Sequence, residues 1–187
     1  MKKTALILLA FLFATINILS QKNISPSSNA ENGKNNSVSL GINIPVGEFS
    51  QTHIAGISAG YSWSHHRFGI LDAVPNKLIG FTADGSIDYY FGKKETVAGY
   101  DYRYGGYIYL HAFGGAIYNP TKKMNISLTT GPTMGIYKGS ADFGFGVNLS
   151  GSYYVTNTIA IAPAIIFLKH KEAAALWVGA IRGTYSF

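Results

Sequence analysis

The chain has 187 residues, no cysteine and a formal net charge of +6 at pH 7. The lack of cysteine excludes both a disulfide and a lipid-modified N-terminal cysteine. Most lysines lie in predicted turns and form no basic stripe, so the charge does not indicate a nucleic-acid partner.

The N-terminal segment predicts export. Lys2 and Lys3 precede an apolar run that ends near Ser20, which is typical of a secretory signal peptide over residues 1–20. Residues 21–36 are rich in asparagine and serine and lack the apolar area that would offset ordering, so they predict a flexible N-terminal tail. Residues 37–187 are then expected to form one domain.

Apolar residues recur at every second position through this domain, and no stretch shows helical periodicity. The alternation predicts eight strands, at 37–46, 54–66, 78–91, 104–118, 124–137, 142–155, 158–169 and 175–187. Pro163 requires a bulge or an unpaired amide position in the seventh strand. The predicted fold class is all-β, as an eight-stranded antiparallel transmembrane up-and-down β-barrel.

An even number of strands brings both termini to one side of the membrane, which we expect to be the periplasmic side. The periplasmic connections would be 67–77, 119–123 and 156–157, and the external ones 47–53, 92–103, 138–141 and 170–173.

The two faces of the predicted strands differ in chemistry. In the last strand Trp177, Ile181 and Tyr185 share one face and Arg182 the other, which suits lipid outside and a polar lumen inside. Asp84 and Asp88 also fall on the polar face of their strand. A lipid-facing arginine or lysine costs about 2–4 kcal/mol at the bilayer midplane. The sorting therefore favours a membrane barrel over a soluble barrel or sandwich, in which the apolar face would point inward.

Asp84, Asp88, His111 and Arg182 are the candidate lumen polar network. Antiparallel pairing of the third and fourth strands predicts Asp84 near His111 and Asp88 near Tyr107, and Arg182 is expected to reach Asp84 across the narrow lumen. A buried charge needs a partner, so we interpret this set as an ion and hydrogen-bond network that plugs the barrel. The alternative is a proton or ion path.

The chain resembles the small bacterial outer-membrane barrels of the OmpA or OmpX type in two places. One is the spacing of Gly41, Pro45, Gly47 and Phe49, and the other is the alternating last strand that ends in Phe187. The resemblance implies an outer-membrane location, with Tyr185 and Phe187 as the signal read by the barrel-assembly machinery. It also implies outer-membrane lipid as the surroundings of a monomer.

The predicted role is structural or interaction-based, with the lumen plugged by polar and aromatic side chains. The aromatic residues expected to block it are Tyr107, Tyr109, His111, Phe113, Tyr137 and Tyr154. A lipid-modifying enzyme, a small passive pore and an accessory barrel for secretion or surface assembly stay open as alternatives.

No catalytic, cofactor or metal site is predicted. His53 and His170 fall in external loops, and the adjacent His65 and His66 would point to opposite faces of a strand. The histidines therefore do not assemble a triad with a serine and a carboxylate in this interpretation.

Overall fold

The computed structural model describes residues 34–65, 79–121, 123–170 and 175–187. The predicted signal peptide, the tail as far as residue 33, and most of the connections at 67–77 and 170–173 lie outside the described residues. Among the described helices, none is long and apolar enough to cross a membrane.

The described residues form ten strands and one helical turn. The elements are β1 Lys34–Val46, α1 Phe49–Thr52, β2 His53–His65, β3 Ile79–Gly92, β4 Lys94–Val97, β5 Tyr100–Arg103, β6 Tyr107–Thr121, β7 Met124–Tyr137, β8 Ser140–Tyr154, β9 Ile159–His170 and β10 Leu176–Ser186. Eight long strands close into an antiparallel barrel in the order β1–β10–β9–β8–β7–β6–β3–β2, and β4 and β5 form a separate hairpin. The predicted fold class is confirmed.

The two ends of the barrel differ in whether the chain termini or the α1 segment lies there. The termini end is where β1 begins and β10 ends, and the loop end is where β1 passes into α1. Backbone bonds between Asn36 and Phe187 complete the β1–β10 seam at the termini end.

The apolar face of each strand lies on the outside, as the alternation predicts. On β1 the outward side chains Val38, Leu40, Ile42, Ile44 and Val46 are all exposed. The opposite face carries the buried Asn43. Exposed aliphatic and aromatic side chains cover the other barrel strands in the same way, which is the surface that a lipid bilayer requires.

Three boundaries differ from the prediction. β1 begins at Lys34, because its first three residues pair with the end of β2, so residues 34–36 are strand and not tail. The region expected as an external loop at 92–103 contains the β4–β5 hairpin. Between β7 and β8 the turn tightens to Lys138 and Gly139, whose φ angles of 49° and 85° suit a two-residue hairpin turn.

Pro163 lies inside β9 without a shift of register. It pairs with Ile181 on β10. On the β8 side Ala164 pairs with Ser150 and Ile161 pairs with Tyr153, and the pairing skips the two β9 positions between them, which include Pro163. The missing amide therefore falls where the β8–β9 ladder is interrupted, as the proline requires.

Candidate functional site

The middle of the lumen holds a chain of polar side chains from three strands. His111 Nε2 lies 3.0 Å from Asp84 Oδ2, and His111 Nδ1 lies 3.0 Å from Ser86 Oγ. The Ser86 hydroxyl donates to Asp88 Oδ2 at 2.9 Å, and Asn43 Nδ2 donates to Asp88 Oδ1 at 2.9 Å. Asp88 and Asn43 are 0% exposed, so these bonds replace water for a buried carboxylate.

The β3–β6 register brings His111 to this position. Ser86 lies opposite His111, and Asp88 lies opposite Tyr109. The predicted register is wrong by two residues, because Asp84 lies opposite Phe113 and Asp88 lies opposite Tyr109. His111 still contacts Asp84, as a diagonal neighbour across the strands.

The turn of the β4–β5 hairpin explains that error. Ala98 and Gly99 have φ angles of 52° and 82°, and the pairing of Val97 with Tyr100 continues in register through Tyr90 and Tyr107 into the barrel. A two-residue turn at these positions sets the register of both ladders. Alanine is a weak signal for positive φ, so the sequence pattern did not reveal this turn.

Arg182 does not form the ion pair predicted with Asp84. Within the described part of the chain it has no carboxylate oxygen within 4.0 Å, and its buried Nε and Nη2 atoms have no hydrogen-bond partner. Arg182 pairs with Gly41 on β1, Gly41 pairs with Ser58 on β2, and Ser58 pairs with Asp88 on β3. The strand register therefore places Arg182 level with Asp88 and not with Asp84. His111 takes the Asp84 carboxylate instead.

Arg182 is held by packing across the seam. A side-chain carbon at Gly41 would lie 2.7 Å from Arg182 Cγ, so the glycine leaves the space that the arginine stem occupies.

A cavity of about 90 Å³ occupies the lumen toward the termini end. Asp84 and Arg182 line it together with many hydroxyls, and we name it the serine cavity after Ser37, Ser39, Ser62, Ser64, Ser127, Ser150, Ser152 and Ser186. Two cross-strand hydroxyl pairs, Ser37 with Ser62 and Ser127 with Ser150, have oxygens 2.7 Å apart. The volume and polar lining suit several water molecules.

Aromatic rings fill the lumen toward the loop end. We name this layer the aromatic plug, and its members are Phe49, His53, Tyr90, Tyr107, Tyr109, Tyr137 and His170. Phe49 comes from α1 and is 5% exposed, with its ring centroid 4.9 Å from that of Tyr90. The Tyr107 hydroxyl lies 3.1 Å from His170 Nδ1. Edge and tilted contacts of this kind stabilise a packed aromatic layer.

Glycines on neighbouring strands make room for these rings. A side-chain carbon at Gly135 would overlap the Tyr107 hydroxyl, and one at Gly56 would lie 2.7 Å from the Tyr90 ring. Below the plug, Phe113 stacks on His111 with centroids 4.3 Å apart, and its ring lies over Gly146. Large and small residues thus alternate around the lumen, which is how a narrow barrel fills its interior.

The predicted blocking residues divide between the two halves of the lumen. Tyr107, Tyr109 and Tyr137 lie in the aromatic plug, whereas Tyr154 lines the serine cavity. His53 and His170 were expected in external loops and are instead 4% and 1% exposed. His53 is the first residue of β2 and His170 is the last residue of β9, and both rings contact other rings of the aromatic plug.

Phe49, Ser86 and Asn43 also belong to the site, although they are not among the residues predicted from the sequence. Ser86 lies on the same face as Asp84 and Asp88, so the alternation alone could have added it. Asn43 likewise lies on the lumen face of β1. Phe49 gave no such signal, because it follows a turn at Gly47, whose φ is 66°.

Asp84, His111 and Ser86 are the residue types of a nucleophilic triad, and the structure does bring them together. The Ser86 hydroxyl, however, donates to Asp88, and Ser86 is not among the residues that line the serine cavity. This arrangement suits proton sharing better than attack on a substrate. Within the described residues, no three His, Cys, Asp or Glu side chains are placed to hold a metal ion.

The β4–β5 hairpin is the most exposed aromatic surface at the loop end. Tyr100 is 81% exposed, and the Tyr102 and Tyr104 rings form an edge contact at 4.9 Å. The Glu95 carboxylate beside Tyr104 raises the pKa of that phenol. Lys138 Nζ lies 6.0 Å from the Tyr102 ring centre, which ties the hairpin to the β7–β8 turn.

These features define a closed eight-stranded barrel with an apolar outer surface, and with an aromatic cluster and a polar cavity in its lumen. No protein-family model matches the sequence, and no curated protein matches it. Among solved structures, the crystal structure of Ail, the attachment invasion locus protein of Yersinia pestis, matches with a TM-score of 0.56 and 10% identity, covering 83% of this chain and 99% of Ail.

Two further solved structures give the same result. The backbone structure of Yersinia pestis Ail in a phospholipid bilayer nanodisc matches with a TM-score of 0.57 and 13% identity, over 82% of this chain and 99% of Ail. A major outer membrane protein from Thermus thermophilus matches with a TM-score of 0.53 and 11% identity, over 82% of this chain and 99% of that protein. The fold is therefore that of the small outer-membrane barrels, which confirms the resemblance.

Proposed function

We propose that this protein is an integral outer-membrane barrel that conducts no solutes and has a structural or interaction role. The observation that carries the proposal is the aromatic plug, in which Phe49 from α1 packs on Tyr90 and Tyr107 across the loop end of the lumen. A passive pore needs a continuous water path, and Tyr90 and Tyr109 are both 0% exposed.

The proposed location rests on two supports. The outer surface is apolar on every barrel strand, and the fold matches outer-membrane proteins. We further propose that residues 1–20 direct export, that both termini face the periplasm, and that the barrel-assembly machinery inserts the chain as a monomer among outer-membrane lipids.

The surface that suits an interaction role is the β4–β5 hairpin. Exposed tyrosines are enriched at protein interfaces, because they supply rigid contact area together with a hydroxyl. Tyr100 and Tyr102 offer this area beside Lys94 and Arg103. A lipid-modifying role is less well supported, because the serine, histidine and aspartate that could carry it lie inside the lumen.

Ion conduction across planar lipid bilayers tests the proposal. The wild-type protein should give no stable porin-like conductance. A Phe49→Ala, Tyr90→Ala, Tyr107→Ala variant should pass small ions, because three of the seven rings of the plug are removed. A variant with Tyr89→Ala, Phe91→Ala and Tyr153→Ala on the outer face is the matched control and should stay closed. Reproducible passage of sugar-sized solutes by the wild-type protein would overturn the proposal.

A further inference from the structure

A continuous chain of hydrogen bonds runs from the serine cavity to a carboxylate that water does not reach. The Asp84 side chain lines the cavity and is 15% exposed, whereas the His111 and Asp88 side chains are 0% exposed. Between them lie three bonds of 3.0, 3.0 and 2.9 Å, from Asp84 to His111, from His111 to Ser86 and from Ser86 to Asp88.

The hydrogens that these bonds need can be counted. A carboxylate only accepts, a neutral imidazole carries one N–H, and a serine carries one O–H. Three bonds need three hydrogens, and Ser86 with a neutral His111 supplies two. The third must be one additional proton, held on Asp84 or on His111. The site with all its bonds made therefore holds one proton more than two carboxylates and a neutral imidazole.

That proton can move along the chain while every bond is kept. A proton on Asp84 passes to Nε2 of His111, the hydrogen on Nδ1 passes to Ser86 Oγ, and the Ser86 hydrogen passes to Asp88 Oδ2. Each hop breaks one O–H or N–H bond and forms another. Asp84 ends as a carboxylate, His111 stays neutral and Asp88 becomes an acid, with the donors reversed and the heavy atoms in place.

We propose that the Asp84–His111–Ser86–Asp88 chain is a proton-binding site, which exchanges one proton between water in the serine cavity and the buried Asp88. The aromatic plug closes the other side, so the exchange uses the termini end. Tyr90 on β3, Tyr109 on β6 and Arg182 on β10 are the charged or titratable neighbours in the described part of the chain, and Asn43 on β1 and Ser58 on β2 are neutral.

Nuclear magnetic resonance of the protein in lipid nanodiscs tests this proposal. The probes are the carboxyl carbons of Asp84 and Asp88 and the ring nitrogens of His111, followed as pH is varied, with Asp88→Asn used to assign its signal. In the wild-type protein the three residues should respond in one shared transition. A wild-type Asp88 signal that does not change with pH would overturn the proposal.

Variants locate the path. Ser86→Ala should uncouple Asp88 from Asp84 and His111, whereas Ser86→Thr keeps a hydroxyl and should keep the coupling. Ser58→Ala is the matched control, because Ser58 lies opposite Asp88 on β2 outside the chain. If Ser86→Ala does not fold, Asp84→Asn tests the cavity end and should abolish the Asp88 response. If the Asp88 carboxyl signal still responds to pH in a folded Ser86→Ala or Asp84→Asn variant, the proton does not reach Asp88 through this chain.

Discussion

His111 Nε2 lies 3.0 Å from Asp84 Oδ2, although the two residues occupy different rows of the β3–β6 register. The imidazole spans the gap because its other nitrogen is held by Ser86, directly opposite on β3. One side chain therefore serves two positions of the neighbouring strand.

This relationship predicts a strong energetic coupling between Asp84 and His111. His111→Leu should lower the free energy of unfolding by about 3–5 kcal/mol, because it leaves the Asp84 carboxylate without its partner. Adding Asp84→Asn should restore part of the loss. The measurement is a double-mutant cycle by urea unfolding with lipid vesicles.

The same cycle with Arg182→Leu and Asp84→Asn is the comparison. Its coupling energy should be smaller than that of Asp84 with His111, since Arg182 has no carboxylate oxygen within 4.0 Å among the described residues. Equal coupling in the two cycles would contradict the partner assignment.

Packing between Tyr107 and Gly135 gives a second prediction. Gly135→Ala should lower the free energy of unfolding by about 1–3 kcal/mol, because the added carbon overlaps the Tyr107 hydroxyl and forces the ring to move. Gly179→Ala is the control, since the nearest atom to its added carbon is 4.0 Å away. Urea unfolding of both variants measures the difference, and similar losses would show that the plug tolerates the extra carbon.

On the outer face, the loss of stability caused by an arginine substitution should depend on its depth in the bilayer. Leu40→Arg near the middle of β1 should cost about 2–4 kcal/mol in a bilayer, whereas Val46→Arg at the strand end should cost about 0–1 kcal/mol. Both side chains are exposed on the apolar face, so they differ mainly in position along the strand. Unfolding in vesicles compares them. A reversed order would argue that this face does not meet lipid.

The end of the chain provides the fourth prediction. Deletion of Phe187 should impair barrel assembly and leave export intact, because Phe187 pairs with Asn36 to complete the seam and is the expected assembly signal. Heat-modifiable gel mobility of the membrane fraction reports assembly. Phe187→Tyr keeps an aromatic terminus and should assemble as the wild type does, whereas normal assembly of the deletion variant would exclude this role.

The fold could be predicted because alternate residues of each barrel strand face lipid and lumen, so apolar and polar residues alternate along the strand. Leu40, Ile42 and Ile44 face outward and Asn43 inward, and no tertiary detail is needed to sort them. The aspartates were sorted in the same way, because a lipid-facing charge is too costly to place at random.

The partners inside the lumen could not be predicted, because they depend on register. The two-residue turn at Ala98 and Gly99 moves the β3–β6 pairing by two positions, which places Asp88 opposite Tyr109. The entry of Phe49 into the lumen depends on the turn at Gly47 and on one turn of helix, neither of which follows from a period of two.

Tyr107 and Gly135 share a single volume, although they lie on different strands and 28 positions apart in the chain. A substitution that fills one position must empty the other. In diverged versions of this barrel the two sites should therefore change together, with a smaller side chain at 107 wherever 135 has gained one. The same exchange would let a protein engineer move the bulky ring from β6 to β7 while the interior stays filled.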